Sequence, residues 1–315
     1  MPASPTDRRA RFSVKVANQH VAWPDYVTAL KAADEMAFET FWSFDHLMPI
    51  GGDPDGPCHE CYTTLAAHAA LTKRIRVGAL VTGAAYRNPG MQIKMATQVD
   101  VISGGRFDFG IGAGWAEREF RAFDLPFSSP KERVGKLRET LILAKRLWRA
   151  KPGEKVSYEG DYVQAHDLFL NPNCVQRPHP PILIGGGGEQ LTLRVVARHA
   201  DIWHGFGDPS VLGRKNALID EYARGYKRDP KEITRATDVS IWVGDPGGAP
   251  TPVGGRGGAG RPPIAGTAEQ IAARLQEYLD AGVSYFVIGP VGGLGDAAFE
   301  NWRRISDQII PRFAG

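Results

Sequence analysis

Eight short apolar runs recur along the chain, and longer stretches with apolar residues every three or four positions separate them. The runs are "FSVKVAN" from Phe12, "FWSFDHL" from Phe41, "IRVGALVTG" from Ile75 and "RFDFGIGAG" from Arg106, followed by "PILIGGG" from Pro181, "ADIWHGFG" from Ala200, "TDVSIWVG" from Thr237 and "SYFVIGP" from Ser284. Several are apolar on both faces, as parallel strands buried under helices are. The intervening stretches read as amphipathic helices. From Trp23 to Phe38 the positions Trp23, Tyr26, Val27, Leu30, Ala33 and Ala37 line one helical face. "SSPKER" predicts a capped start, with Ser129 as N-cap, Pro130 at the first helical position and Glu132 closing a capping box. Thr267 and Gln270 repeat that arrangement, and Gly282 ends the helix they open. Strands alternating with helices predict an α/β fold, and eight units favour a closed (β/α) eight-stranded TIM barrel over an open doubly wound sheet.

Two segments break the rhythm. Residues 151–180, long and Pro-rich, form an insertion between the fourth and fifth strands, expected over the barrel mouth. Residues 245–263, "DPGGAPTPVGGRGGAGRPP", are too rich in Gly and Pro to pack alone and are expected to form a mobile loop. Residues 1–11 are expected to form a flexible tail. Residues 1–315 are read as a single domain.

The stretch "PILIGGGGEQLTLRVVARHADIW" sets four glycines between an apolar strand and a helix expected over residues 190–198. A strand, a glycine turn and a helix N-terminus together make an anion site, because free N–H groups and the helix dipole both favour negative charge. Barrel active sites lie at the C-terminal strand ends. Those ends hold Asp45 and His46, Thr82 and Gly83, Gly112 to Trp115, Gly185 to Gly188, Trp203 and His204, and Gly289. His46 beside Asp45 is the most chemical pair, since an imidazole exchanges protons near neutral pH. Glu117 and Glu119 follow Trp115 within reach of the same mouth. Trp115, directly after a glycine turn, is expected to face the cavity.

Composition narrows the class. The chain has 315 residues and a formal net charge of +3 with no long basic run, which argues against nucleic acid as a partner. No run of 18 or more apolar residues appears, so no membrane span is expected. The start "MPASPTDRRARF" lacks an apolar signal core, giving a cytoplasmic expectation. Three cysteines in a long chain do not make a disulfide framework. "CHEC" at Cys58–Cys61 lacks the further ligands a zinc site needs, and no metal is expected. No serine-hydrolase elbow, zinc-protease helix or P-loop is present, and "GIGAGW" does not complete a dinucleotide fingerprint.

Taken together, "FWSFDHL", "LVTGAAYRNPGMQIKMATQVDVISGGRFDFGIGAGW", "ERVGKLRETLILAKRLW", the glycine stretch through "HGFG", and "GTAEQIAARLQEYLDAGVSYFVIG" resemble the luciferase-like monooxygenase superfamily. They are most similar to its branch that uses the deazaflavin coenzyme F-420, and they run in family order from about Phe12 to Gly289. The resemblance implies a luciferase-like barrel with an insertion after strand four. It also implies that Gly186, Gly187 and Gly188 cradle the phosphate of a flavin-type cofactor. By the same resemblance Asp45, Thr82 and Gly83 meet the cofactor ring, and Trp115, Gly185 to Gly188, Glu189 and Trp203 are expected in the cofactor site. His46 is implied as an active-site residue and expected to be catalytic, and Glu119, with Glu117, is kept as a candidate for the general acid. A non-proline cis peptide is implied at Thr82–Gly83 or Gly83–Ala84. Trp115 departs from the pattern, because some F-420 dehydrogenases carry Glu there. The implied activity is hydride transfer between reduced F-420 and a small organic substrate, in a homodimer. The alternatives are an FMN monooxygenase using dioxygen and a flavin-binding protein without turnover.

Overall fold

A computed structural model of the chain describes residues 10–251 and 262–314. Each of the eight apolar runs supplies one barrel strand. These are β1 (Arg11–Lys15), β2 (Thr40–Ser43), β3 (Arg76–Ala79), β4 (Phe107–Gly112), β5 (Ile182–Gly185), β6 (Ile202–Gly205), β7 (Thr234–Val239) and β8 (Tyr285–Ile288). Every strand pairs in parallel with the next, and β8 pairs with β1, so the sheet closes on itself. Outside them lie α1 (Trp23–Asp34), α2 (Cys61–Leu71), α3 (Pro89–Ser103), α4 (Glu117–Ala122), α5 (Pro130–Arg149), α6 (Thr192–His199), α7 (Pro209–Gly225), α8 (Ala268–Asp280) and α9 (Asp296–Arg304). Both expected capping boxes form, at Ser129 with Glu132 and at Thr267 with Gln270.

Side chains alternate across each strand, and this divides the core in two. Trp42, Leu183, Ile202, Ala236, Tyr285 and Val287 point inward and fill the barrel. Their neighbours, such as Phe41, Ile182, Ile184 and Trp203, point outward into the much larger layer between strands and helices. Two residues further along the strands, the inward positions at the C-terminal end are Gly185, His204 and Asp238. That upper layer is the floor of a cavity.

Four expectations change. Ala10 is buried and Arg11 opens β1, so the chain joins the barrel from residue 10, while the rest of the expected tail lies outside the described residues. The seventh run splits after Val239, and Ile241–Val243 leaves the barrel to pair with Ile264–Gly266. Residues 252–261 of the expected mobile loop lie outside the described residues. The insertion does not cover the mouth. It contains an antiparallel hairpin, Val156–Glu159 with Gln164–Leu168, held on the flank of α5 where Glu139 accepts the backbone N–H groups of Tyr162 (2.8 Å) and Val163 (3.0 Å).

The fourth change concerns the third strand. The non-proline cis peptide lies at Leu80–Val81, two peptide bonds before the nearer of the two expected positions. The small residues that give the chain room are on neighbouring strands rather than on its own. A Cβ at Gly112 would lie 2.9 Å from a Val81 methyl, and one at Gly185 would lie 3.0 Å from it. Val81 thus wedges between the ends of β4 and β5, where glycine alone leaves space.

Candidate active site

The strand ends enclose a cavity of about 740 Å³, inside the roughly 300–1,000 Å³ typical of cofactor and ligand clefts. Leu80 and Val81 lie across it as an apolar shelf. Asp45, His46, Thr82, Gly83, Trp115 and Gly185 to Gly187 all line it. Trp115 is 43% exposed and sets its ring edge-on to His46 at 5.5 Å. No residue of the insertion lines it.

The structure separates the pair that the sequence joins. In the segment after β2, Asp45 and His46 acquire different partners. His46 turns its Nδ1 to Glu119, 3.0 Å from both carboxylate oxygens. Glu119, carried on α4, also accepts the backbone N–H groups of Leu47 (3.0 Å) and Met48 (3.2 Å) and the Tyr86 hydroxyl. Burial pushes the Glu119 carboxyl up, but the bonds from His46 and Tyr86 outweigh it and hold the group below its ordinary value. Burial and the contact with Glu119 push the Tyr86 phenol well up. Glu119 is 2% exposed and does not line the cavity, so it positions the imidazole rather than touching a ligand. With Nδ1 committed, Nε2 is the nitrogen left to the cavity.

Asp45, 1% exposed, forms a two-pronged ion pair with Arg87 and accepts the Thr82 hydroxyl. Gln92 donates to that same hydroxyl at 2.7 Å, and Glu60 holds the far side of Arg87. Burial lowers the affinity of Arg87 for its proton, but Asp45 outweighs this and the guanidinium stays firmly charged. This network anchors the segment that carries the shelf. Cys58 donates to the His46 carbonyl oxygen at 3.3 Å, and burial pushes its thiol up to about 11. "CHEC" therefore braces the loop behind His46. Among the described residues no group of three or more His, Cys, Asp or Glu is placed to hold a metal ion.

The glycine turn is narrower than expected. The Gly186 amide is spent on the His204 carbonyl at 3.2 Å, and Gly186 takes φ +133°. The amides of Gly187 and Gly188 have no acceptor among the described residues. Gly188 and Glu189 lie beyond the cavity lining. The Gly188 carbonyl accepts Leu193 N–H at the start of α6, and Glu189 pairs with Arg214 at 2.8 Å. Lys215 on α7 reaches the turn: a Cβ at Gly187 would lie 2.5 Å from its Nζ. No carboxylate pairs with Lys215 among the described residues. Open amides, a helix start and an unneutralised ammonium fit a phosphate. Trp203 is not part of this surface. The alternation that turns Ile202 and His204 inward turns Trp203 outward, where it is fully buried and donates to the Gly186 carbonyl oxygen at 2.8 Å.

Sequence reasoning placed His204 at a strand end but missed its partners Lys15 and Asp238. Lys15, His204 and Asp238, from β1, β6 and β7, meet on the cavity floor. Asp238 accepts from Lys15 through one oxygen, and its other oxygen lies 3.0 Å from His204 Nε2. Burial pushes the Asp238 carboxyl up, yet Lys15 and His204 outweigh it and hold it well below its ordinary value. The available signal was a charged residue near the C-terminal end of an otherwise buried strand.

With this geometry in view, comparison with known proteins decides the family. Residues 9–247 match the luciferase-like monooxygenase family. The chain belongs to it. Relatives of this luciferase-like chain use two cofactors. An F-420-dependent hydroxymycolic acid dehydrogenase of Mycobacterium tuberculosis is 28% identical over 77% of this chain and 66% of its own length. An FMNH2-dependent dimethylsulfone monooxygenase of Pseudomonas putida is 30% identical over 53% of this chain and 44% of its own. The chain thus spans less than two thirds of either relative. The luciferase-like barrel itself superimposes on the coenzyme F-420-dependent tetrahydromethanopterin reductase of Methanopyrus kandleri with a TM-score of 0.81. That match covers 96% of this chain and 99% of the other at 20% identity, which speaks for the fold alone. No helix among the described residues is long and apolar enough to cross a membrane.

Proposed function

We propose that this luciferase-like chain is an oxidoreductase that transfers a hydride between coenzyme F-420 and a small organic substrate. The observation that carries the reading is the His46–Glu119 pair, which presents a proton-exchanging nitrogen to a cavity large enough for a ring cofactor and a substrate. Gly187, Gly188 and Lys215 would hold the cofactor's phosphate, and Leu80 and Val81 would support its ring. When bound, F-420 supplies the hydride-carrying deazaflavin ring.

The chain's own residues do the rest. Glu119 fixes the His46 tautomer with the proton on Nδ1 and stabilises the imidazolium that forms when Nε2 takes up a second proton. A cationic His46 then gives the Nε2 proton to an oxygen or carbon that gains negative charge, and the neutral ring takes it back in the opposite direction. Asp45, through Arg87 and Thr82, keeps the shelf in place. Trp115 at the rim screens the site from water. The shared glycine cradle also suits FMN, and the FMN-using relative makes the monooxygenase the alternative. The test is anaerobic: reduced F-420 is mixed with the protein and a panel of ketones, aldehydes and enones. Catalysed reoxidation of F-420 without dioxygen supports the reading. Turnover only with reduced FMN and only with dioxygen present contradicts it.

A further inference from the structure

The cluster on the cavity floor is not used by the proton-handling pair, and its chemistry points elsewhere. Lys15 is the only lysine or arginine among the described lining residues. Its side chain keeps 21% of its exposure, and Asp238 is its one ion-pair partner among the described residues. An ammonium has three N–H donors. Asp238 cannot satisfy all three, so donors remain for the cavity. His204 Nε2 on the second oxygen of Asp238 spreads the negative charge that would otherwise neutralise Lys15. Phe206 covers the imidazole edge-on at 5.0 Å, which closes off that side from solvent. Among the described residues, Asp238 is the one side chain that Lys15 hydrogen-bonds.

We propose that Lys15, fixed in place by Asp238 and His204, is an oxygen-anchoring group of the site. It takes an oxygen that carries or develops negative charge during the reaction, and thereby selects substrates or cofactor forms that bear one. Two sources share that chemistry: a carbonyl or carboxylate of the substrate, and a carbonyl on the edge of the cofactor ring. The inference rests on this cavity being the reaction site, as in the function proposed above, but not on which ring cofactor it takes. Hydrogen bonding to an ionised group is the strong kind, so it sets orientation as well as affinity.

The test compares Asp238→Asn with the double variant Lys15→Met, Asp238→Asn, because neither leaves an unpaired carboxylate in the floor. Benzoate is the probe, titrated into cofactor-free protein and followed by quenching of tryptophan fluorescence and by calorimetry, with thermal melting as the check on folding. Asp238→Asn should bind benzoate more tightly than the wild type, since the competing carboxylate is gone. Adding Lys15→Met should weaken binding at least tenfold. Repeating the titration with F-420 or FMN already bound separates the sources: benzoate that still binds marks a substrate oxygen, and benzoate displaced by the cofactor marks the ring's own carbonyl. Equal affinity in the two folded variants, or no benzoate binding by Asp238→Asn, overturns the proposal. Failure of the wild type to bind either ring cofactor would overturn the functional reading alone, leaving the benzoate comparison to stand.

Discussion

Gly187→Val tests the phosphate cradle with little damage to the fold. Among the atoms facing a Cβ at this position the nearest is Lys215 Nζ at 2.5 Å, and the next is Lys215 Cε at 3.7 Å. The far end of a lysine moves aside at small cost, so stability should hold. What the valine removes is the ammonium's place at the turn and the approach to the Gly187 and Gly188 amides. A hydrogen bond to a charged group contributes about 1.5–3 kcal/mol, so the dissociation constant should rise roughly 10- to 150-fold. Gly186→Ala is the contrasting change. Its φ of +133° is unfavourable for any side chain, and its Cβ would meet Thr192 Cγ2 at 3.1 Å. That strain costs about 1–3 kcal/mol and should lower the melting temperature by a few degrees. Fluorescence titration with F-420 and thermal melting read the two effects separately. A folded Gly187→Val protein with unchanged affinity would refute the cradle.

His46→Ala should keep cofactor affinity and lower kcat by about a hundredfold in steady-state assays. Full activity would leave His46 a structural residue. Glu119→Gln should flatten the acid limb of stability. The folded-state carboxyl sits below its unfolded value, so its contribution is complete above about pH 4.5 and is lost as pH falls through the folded value. Urea unfolding of wild type and variant between pH 3 and 6 should show their difference shrinking toward acid, and a constant difference would contradict the pairing. Arg87→Met leaves the buried Asp45 carboxylate without its partner and should cost about 3–5 kcal/mol in urea unfolding, with the loss partly recovered by adding Asp45→Asn.

The eight strands and the two capping boxes were legible because each rests on local pattern: buried apolar runs for the strands, and Ser129 or Thr267 three residues before its partner for the caps. The site was legible in position but not in pairing. Asp45 and His46 are neighbours in sequence, yet in the segment after β2 one turns to Arg87 and the other to Glu119, residues 42 and 73 positions away. Trp203 and His204 show the same effect: one step of register decides between helix layer and cavity. Lys15 and Asp238 lie 223 residues apart, and only barrel closure brings them together. The room for the Leu80–Val81 peptide comes from glycines on other strands, which a reading of its own segment does not reveal. For the insertion, composition gave irregularity, but its place on α5 depends on contacts with Glu139 that no period encodes.

Side-by-side titration of the wild-type protein with F-420 and with FMN, followed by fluorescence under one buffer and salt condition, bears most directly on the proposed hydride transfer. The expected result is tighter binding of F-420 and loss of that preference for neither His46→Ala nor Glu119→Gln, since those residues handle the proton and not the phosphate. Tighter binding of FMN, or FMN copurifying from a host that makes no F-420, would contradict the deazaflavin reading and assign the cavity to oxygen-using chemistry.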